Sequence, residues 1–259
     1  MPHTHAVLES MGQATRMTSK TRNRGYSVAE LLIGLGLSSL VVVTALGVYQ
    51  ISRQSWQAMS AKDALYQNAI VAFRAIRRQA ELDGAAYLIA GGDNLVTLSP
   101  AYPDTNYAND GLVLSHWSGV DPSDCQGNSS AGTNAIVSNS FKRNTNKELT
   151  CKDTNATGSS YQALAEGVED LQTRFAQVNP ILQTLQWVQA SELFGSPHVV
   201  AVEVCLRLAT PVRLPVDVRA TSTSITGCRG ETIAADGKLR RVFRQIFALR
   251  NRLSLYGQS

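Results

Sequence analysis

The pattern of hydrophobic and polar positions divides the chain into an apolar N-terminal run, an amphipathic continuation and a long segment of short alternating stretches. The run from Leu31 to Tyr49 is about 19 residues long and contains no charged residue, and about 20 apolar residues suffice for a helix to cross a bilayer. Glu30 stands immediately before it. The pattern therefore predicts a transmembrane helix over residues 26–49 with one ionisable group near its start.

The helix is expected to continue beyond the apolar run. No proline interrupts residues 50–83, and apolar residues there recur at spacings of three and four, which predicts one stripe on an amphipathic helix. That stripe consists of Leu65, Tyr66, Ala69, Ile70, Phe73 and Ile76. Asp83 and Gly84 suit the end of the helix, because glycine readily adopts a left-handed cap. The pattern does not decide between a continuous helix and one that is kinked near Gly47.

Residues 84–259 have a different texture, in which short apolar stretches alternate with glycine, asparagine, aspartate, serine and proline. This pattern is typical of strands and turns, and it predicts a β-rich globular domain. The clearest strand is His198–Ala209, where every second residue from Val200 to Leu208 is apolar. The other candidate strands are Leu95–Leu98, Gly111–Trp117, Ala135–Phe141 and Glu148–Cys151.

Three segments give less decided patterns. Residues 123–160 are rich in serine, asparagine, threonine and glycine, which favours a long surface loop or an irregular hairpin. Leu164–Phe175 carries an apolar stripe at helical spacing, although its end also suits the start of a strand. Gly237–Leu253 fits a helix or a strand by periodicity alone.

The charges before the apolar run are one-sided. No acidic residue lies between Glu9 and Glu30, and the basic residues of this stretch are Arg16, Lys20, Arg22 and Arg24. The positive-inside rule then predicts a single-pass membrane protein with a cytoplasmic N-terminus and residues 84–259 on the other side of the membrane. Removal of residues 1–25 would leave 20 basic and 19 acidic residues, so global charge does not favour nucleic acid as a partner.

Three interpretations of the N-terminal segment compete. A secretory signal would be cut at a site of small residues such as Val43-Thr44-Ala45 or Ala45-Leu46-Gly47, but its apolar region would be shorter. A plain uncleaved anchor explains the length and leaves Glu30 without a role. Cleavage after Gly25 would create an α-amino group on Tyr26, one helical turn from Glu30. Packed with an axial stagger, such helices would pair Glu30 with the amine of a neighbour.

These N-terminal residues resemble the class III leader of type IV pilins and type II secretion pseudopilins. The resemblance rests on the basic residues, on Gly25, on the aromatic Tyr26 and on Glu30 as the fifth residue after the cleavage point. It implies that a prepilin peptidase cuts after Gly25 and methylates the amine of Tyr26. The implied fold is α+β and type IV pilin-like, with the long N-terminal helix docked on an antiparallel sheet.

Later segments resemble the PilW family of minor type IV pilins. They are Glu166–Gln172, Val199–Leu206 and the arginine-rich end that includes Arg240–Phe243 and Ala248–Leu253. The family implies a strand for this end. It also implies a minor pilin that primes or supports pilus assembly, with partners among major and minor pilins and the inner-membrane assembly machinery. A minor pseudopilin of type II secretion and a membrane-tethered periplasmic binding protein or enzyme are the alternatives.

Four cysteines, Cys125, Cys151, Cys205 and Cys228, are candidates for disulfides in a domain outside the cytoplasm. Three pairings are open, and the sequential one is the simplest. Zinc is the competing interpretation, but no pair of cysteines has the close spacing of a zinc site. We therefore expect no metal and no cofactor.

Two further features allow a functional and a plain interpretation. The tail cations Lys238, Arg240, Arg241, Arg244, Arg250 and Arg252 suit a DNA surface, although a solvated strand face or a subunit contact is the better interpretation. The oxygen-rich run from Asp104 to Gly111 suits calcium but lacks the EF-hand spacing, which favours a turn. The chain lacks catalytic motifs, so we expect a structural protein and no enzyme.

Overall fold

A computed structural model describes residues 25–83, 110–129, 135–179, 184–189, 192, 199–211 and 224–253. The chain forms two compact units, Met1–Gln50 and Ile51–Ser259. The predicted strand Leu95–Leu98, the cap residue Gly84 and most of the run from Asp104 to Gly111 lie outside the described residues.

Helix α1 runs from Val28 to Leu82 over 55 residues and is continuous through Gly47. In its second half, the residues that face the core recur at spacings of three and four. These buried residues are Leu65, Ala69, Ala72, Phe73, Ile76 and Ala80. Of the predicted stripe, Leu65, Ala69, Phe73 and Ile76 are buried, whereas Tyr66 and Ile70 are 42% and 54% exposed because they lie at its margin. The side-chain amide of Asn251 donates hydrogen bonds to the carbonyl oxygens of Glu81 at 3.0 Å and Asp83 at 3.3 Å. A residue near the C-terminus therefore satisfies carbonyl groups that the end of a helix leaves without internal partners.

The first sheet contains strands β1 Gly111–Trp117, β2 Ile136–Arg143, β3 Glu148–Asp153 and β4 Gln162–Glu166, paired antiparallel in that order. Within residues 123–160, the described chain forms a hairpin of β2 and β3, which confirms the hairpin alternative and the predicted strands Ala135–Phe141 and Glu148–Cys151, and excludes a single long loop. Some of the polar residues that suggested a loop are buried in the hairpin, namely Ser138, Asn139, Ser140, Thr150 and Asp153, and they have hydrogen-bond partners there. One example is Ser138, whose backbone N–H donates to Asp153 Oδ1 at 3.1 Å.

The second sheet has the order β10-β7-β5-β6 and is also antiparallel. Its strands are β5 Val168–Val178, β6 Leu185–Gln189, β7 Val199–Ala209 and β10 Arg240–Ala248. A two-stranded hairpin of β8 Ile225–Thr226 and β9 Thr232–Ile233 stands between β7 and β10 in sequence, and a helical turn α2 Arg250–Leu253 follows β10. The strand predicted for the tail is confirmed.

The helical spacing within Leu164–Phe175 comes from a strand with an irregular register. Val168, Leu171 and Phe175 are all buried, yet strict alternation would place Val168 and Leu171 on opposite faces. The pairing of β5 with β7 shifts between Val168 and Asp170. This bulge changes the phase of the strand, so residues three apart face the same core.

The core of the second unit lies between the amphipathic part of α1 and both sheets. Phe243 and Phe247 of β10 pack against α1, with Phe243 edge-to-face on Tyr66 at 5.3 Å between ring centroids and Phe247 against Phe73 at 6.1 Å. Asn68 of α1 donates a side-chain hydrogen bond to the carbonyl oxygen of Glu166 at 3.1 Å. The α+β prediction, with a long N-terminal helix and antiparallel sheets, is confirmed.

Candidate assembly site at the helix N-terminus

The start of α1 is closed by reciprocal hydrogen bonds between Ser27 and the first helical turn. Ser27 precedes the first helical residue, and its backbone N–H donates to Glu30 Oε2 at 3.0 Å. Its hydroxyl oxygen accepts from the N–H of Ala29 at 3.3 Å, and its carbonyl accepts from the N–H of Leu31 at 3.1 Å. This is a capping box, which satisfies backbone donors that a helix start leaves without partners.

The capping box places the Glu30 carboxylate at the positive end of the helix dipole, where negative charge is favoured. Tyr26 is 85% exposed, and Gly25 and Tyr26 precede the helix without regular structure. Gly25 and Tyr26, the residues predicted to be processed, and Glu30 therefore lie within one short segment. Ser27 is a residue that the sequence interpretation missed, although the spacing Ser-x-x-Glu before an apolar run is a readable capping signal.

The apolar part of α1 is exposed on all sides within the first unit. It has the length and composition to cross a membrane, and its large side chains from Leu31 to Tyr49 are each more than half exposed. A helix that is apolar on every face requires an apolar environment, so this segment suits a single-pass membrane anchor.

The four cysteines form two disulfides. Cys125 pairs with Cys151 at a Cα–Cα distance of 6.4 Å, and Cys205 pairs with Cys228 at 5.8 Å. This is the sequential pairing. The first bond joins the segment after β1 to β3, and the second joins β7 to the hairpin of β8 and β9.

The tail arginines include two that form ion pairs across strands. Arg240 binds Glu169 at 2.6 Å, and Arg244 binds Glu203 at 3.0 Å. Burial alone would raise the pKa of Glu169, but hydrogen bonds and charge attraction from Arg240 and Lys147 outweigh it and lower the pKa. These two arginines therefore hold the second sheet together on its solvent side, as expected for a charged strand face.

His116 lies fully buried at the end of β1. Its Nε2 makes a 2.9 Å hydrogen bond with the carbonyl oxygen of Asp121, and burial lowers its pKa from the usual value. The side chain of Asp121 forms an ion pair with Arg78 of α1 at 3.1 Å. His116 thus belongs to the packing between α1 and the first sheet. The other histidine of the globular part, His198, lies outside the described residues.

Comparison with known proteins finds a family match in the C-terminal half of the chain. Residues 130–251 match the family model described as Type IV Pilus-assembly protein W, which confirms the resemblance seen in the sequence. Among solved structures, a type IV-like pilin from Thermus thermophilus superposes with a TM-score of 0.46 at 16% sequence identity, covering 73% of this chain and 97% of that one. No curated protein matches the chain.

Proposed function

Because residues 130–251 match the type IV pilus-assembly protein W family, we propose that the chain is a minor pilin that primes or supports assembly of a type IV pilus. In this role the chain is a structural subunit and no enzyme. The family description names pilus assembly, which favours a pilus over the related pseudopilins of type II secretion.

The observation that carries the proposal is the position of Glu30 in the first turn of α1, immediately before a run of residues 31–49 that has no other charge. A carboxylate at this depth costs free energy in a membrane unless it gains a partner. In the isolated chain its partner is the backbone N–H of Ser27. After cleavage behind Gly25, the new amine of Tyr26 would add a positive charge within one helical turn.

In a filament, Glu30 would pair with the Tyr26 amine of a neighbouring subunit. The buried charge is then neutralised only between correctly staggered helices, because a pair of opposite charges offsets the cost of desolvation when both are present. The apolar faces of α1 would supply the remaining contact. This arrangement lets one carboxylate set the axial register of a bundle that apolar packing alone would leave free to slide.

The proposed location follows from the same segment. Before cleavage, α1 holds the chain in the inner membrane as a single-pass protein with residues 1–25 in the cytoplasm and the globular part in the periplasm. The partners are then the prepilin peptidase, the inner-membrane assembly machinery and other pilins.

The first experiment is N-terminal sequencing and intact-mass measurement of the membrane-extracted protein from cells with and without prepilin peptidase. We expect a chain that begins at methylated Tyr26 only where the peptidase is active. A chain that begins near Leu46 or Val48, or an uncut chain in both strains, would overturn the proposal.

A second experiment separates assembly from helix capping. Glu30→Ala should be processed normally but recovered poorly in sheared pili, whereas Ser27→Ala keeps the backbone N–H that binds Glu30 and should assemble. Equal loss of assembly in both variants would assign the defect to capping and contradict the charge-pairing role.

A further inference from the structure

The second sheet ends in a long strand whose outer side has no strand beside it in the described chain. β10 is the terminal strand in the order β10-β7-β5-β6. Leu239 and Leu249, at its two ends, form hydrogen bonds towards the β7 side, since Leu239 accepts from Thr210 at 3.0 Å and Leu249 donates to Val200 at 2.8 Å.

The register between these two points is continuous. In an antiparallel pair, successive residues alternate between facing the partner strand and facing away. The backbone groups that face outward therefore belong to the even-numbered residues Val242, Arg244, Ile246 and Ala248. Within the described ranges, no backbone hydrogen bond reaches them.

Apolar side chains flank this open edge. Ile246 of β10 is 57% exposed, and on α1 Tyr66 is 42% and Ile70 is 54% exposed. Tyr66 packs on Phe243, and Ile70 lies one helical turn further along α1. A long edge strand invites another strand to pair with it unless it is covered or carries charges. Because β10 carries arginines, a strand that pairs with it should carry complementary charge.

A cavity of about 310 Å³ lies between the β8–β9 hairpin and the start of β10. Ile225 and Ile233 of the hairpin and Val242 of β10 give it apolar walls, and Arg241 stands among its lining residues. This volume exceeds that of a single side chain, so the cavity has room for an apolar side chain of a strand paired with β10.

The charge at this edge is not balanced within the described chain. Glu169 and Glu203 are occupied by Arg240 and Arg244, whereas the exposed side chain of Arg241 has no hydrogen bond or ion pair to any described residue. An incoming segment with carboxylates would supply the missing charge.

We propose that the outer edge of β10 binds an extended, acidic segment of a partner protein by β-strand addition. The backbone of the segment would pair with Val242–Ala248. One apolar side chain would enter the cavity beside the hairpin, and a carboxylate would bind Arg241. The interaction is independent of the role of Glu30.

The test uses the full chain in detergent micelles and three fluorescent octapeptides. One alternates valine with glutamate, the second alternates valine with lysine, and the third is the acidic peptide with every second backbone nitrogen methylated. We expect the acidic peptide to bind about tenfold more tightly than either of the others by fluorescence anisotropy, since the lysine peptide has the wrong charge and the methylated peptide cannot pair fully.

Variants then locate the binding site. Ile246→Pro removes an outward N–H, which an edge strand tolerates, and Arg241→Glu reverses the unbalanced charge. Both should reduce binding of the acidic peptide about tenfold, and Arg53→Glu, four to five turns before Ile70 on α1, is the matched charge control. Circular dichroism shows whether each variant is folded. If Ile246→Pro is not folded, the methylated peptide still tests strand pairing on the unchanged protein.

Three outcomes would overturn the proposal. In the first, the methylated peptide binds as tightly as the acidic one, which would show that backbone pairing plays no part. In the second, Arg241→Glu leaves the affinity for the acidic peptide unchanged, which would show that the charge of Arg241 plays no part. Self-association of the chain in sedimentation velocity, lost in Ile246→Pro, would assign the edge to a second copy.

Discussion

The two sheets of the globular part differ in the kinds of side chain that they bury. In the second sheet, strands β5 and β7 turn apolar side chains such as Leu171, Phe175 and Val204 into the core. In the first, the strands also bury polar residues, among them Ser115, His116 and Asn139. The apolar sheet gains stability from area removed from water. The polar sheet depends on hydrogen-bond partners for its buried groups, because an unpaired polar group is costly, and His116 Nδ1 is a buried atom of this sheet without such a partner among the described residues.

The largest expected effect is in the apolar sheet. Phe175→Ala removes a side chain that is 2% exposed, and such truncations cost about 3–5 kcal/mol through lost transfer energy and a residual cavity. Denaturant unfolding of the full chain in micelles measures the change. Leu185→Ala on the edge strand β6, where the side chain is 56% exposed, is the control and should change stability little.

The disulfides come next and compare the sheets directly. Their sequence separations are 26 and 23 residues, so the chain-entropy estimate assigns about 3 kcal/mol to each. Cys125→Ala with Cys151→Ala, and separately Cys205→Ala with Cys228→Ala, should therefore destabilise the protein by similar amounts. A much larger loss in the first pair would show that the polar sheet relies on its disulfide beyond loop closure.

A smaller effect is expected from the polar network. Asn139 donates to Gln79 Oε1 at 2.8 Å and accepts from the N–H of Cys125 at 2.8 Å. Asn139→Leu should cost about 1–3 kcal/mol, because it leaves buried groups without partners. If the network acts as a unit, the double variant with Gln79→Leu should lose less than the sum of the single changes, and an additive result would contradict coupling.

The smallest predicted effect is a pH dependence from His116. Burial lowers its pKa in the folded chain, so the unfolded state binds a proton more readily. Stability should then be highest above the ordinary pKa of about 6.5 and decline as the pH falls through it. His116→Gln should flatten this part of the stability profile. An unchanged slope in the variant would show that another group titrates there.

The sequence predicts strands in both sheets. In the first sheet, the predicted strands Gly111–Trp117, Ala135–Phe141 and Glu148–Cys151 correspond to β1, β2 and β3. In the second sheet, the pattern predicts β7, whereas it fits a helix or a strand at β5 and predicts no strand at β6. In β7, alternation from Val200 to Leu208 carries the signal of a half-buried strand, and the structure agrees. Residues 123–160 allowed a loop or a hairpin, because serine and asparagine are common in loops, whereas in β2 the burial of Asn139 depends on Gln79, a partner far away in sequence. Composition does not reveal such long-range pairs.

The N-terminal site and the edge of β10 also differ in how far the local sequence predicts them. Gly25, Tyr26 and Glu30 follow from a local pattern in the sequence, and the capping role of Ser27 was equally readable from its spacing. The open edge of β10 was not readable, because strand order is a property of the whole sheet. Periodicity in Gly237–Leu253 combines side chains from both faces of β10, with Phe247 buried and Ile246 exposed, and so imitates a helix.

The hydrogen bonds from Asn251 to the end of α1 can form only late in the synthesis of the chain. Its hydrogen bonds span 170 and 168 residues of sequence. During synthesis, the N-terminal helix leaves the ribosome long before the residue that caps it, and domains form from the N-terminus as the chain emerges. The final turn of α1 therefore gains these two hydrogen bonds only after β10 and the turn that follows it have been made, and a nascent chain cut short before residue 251 lacks this cap.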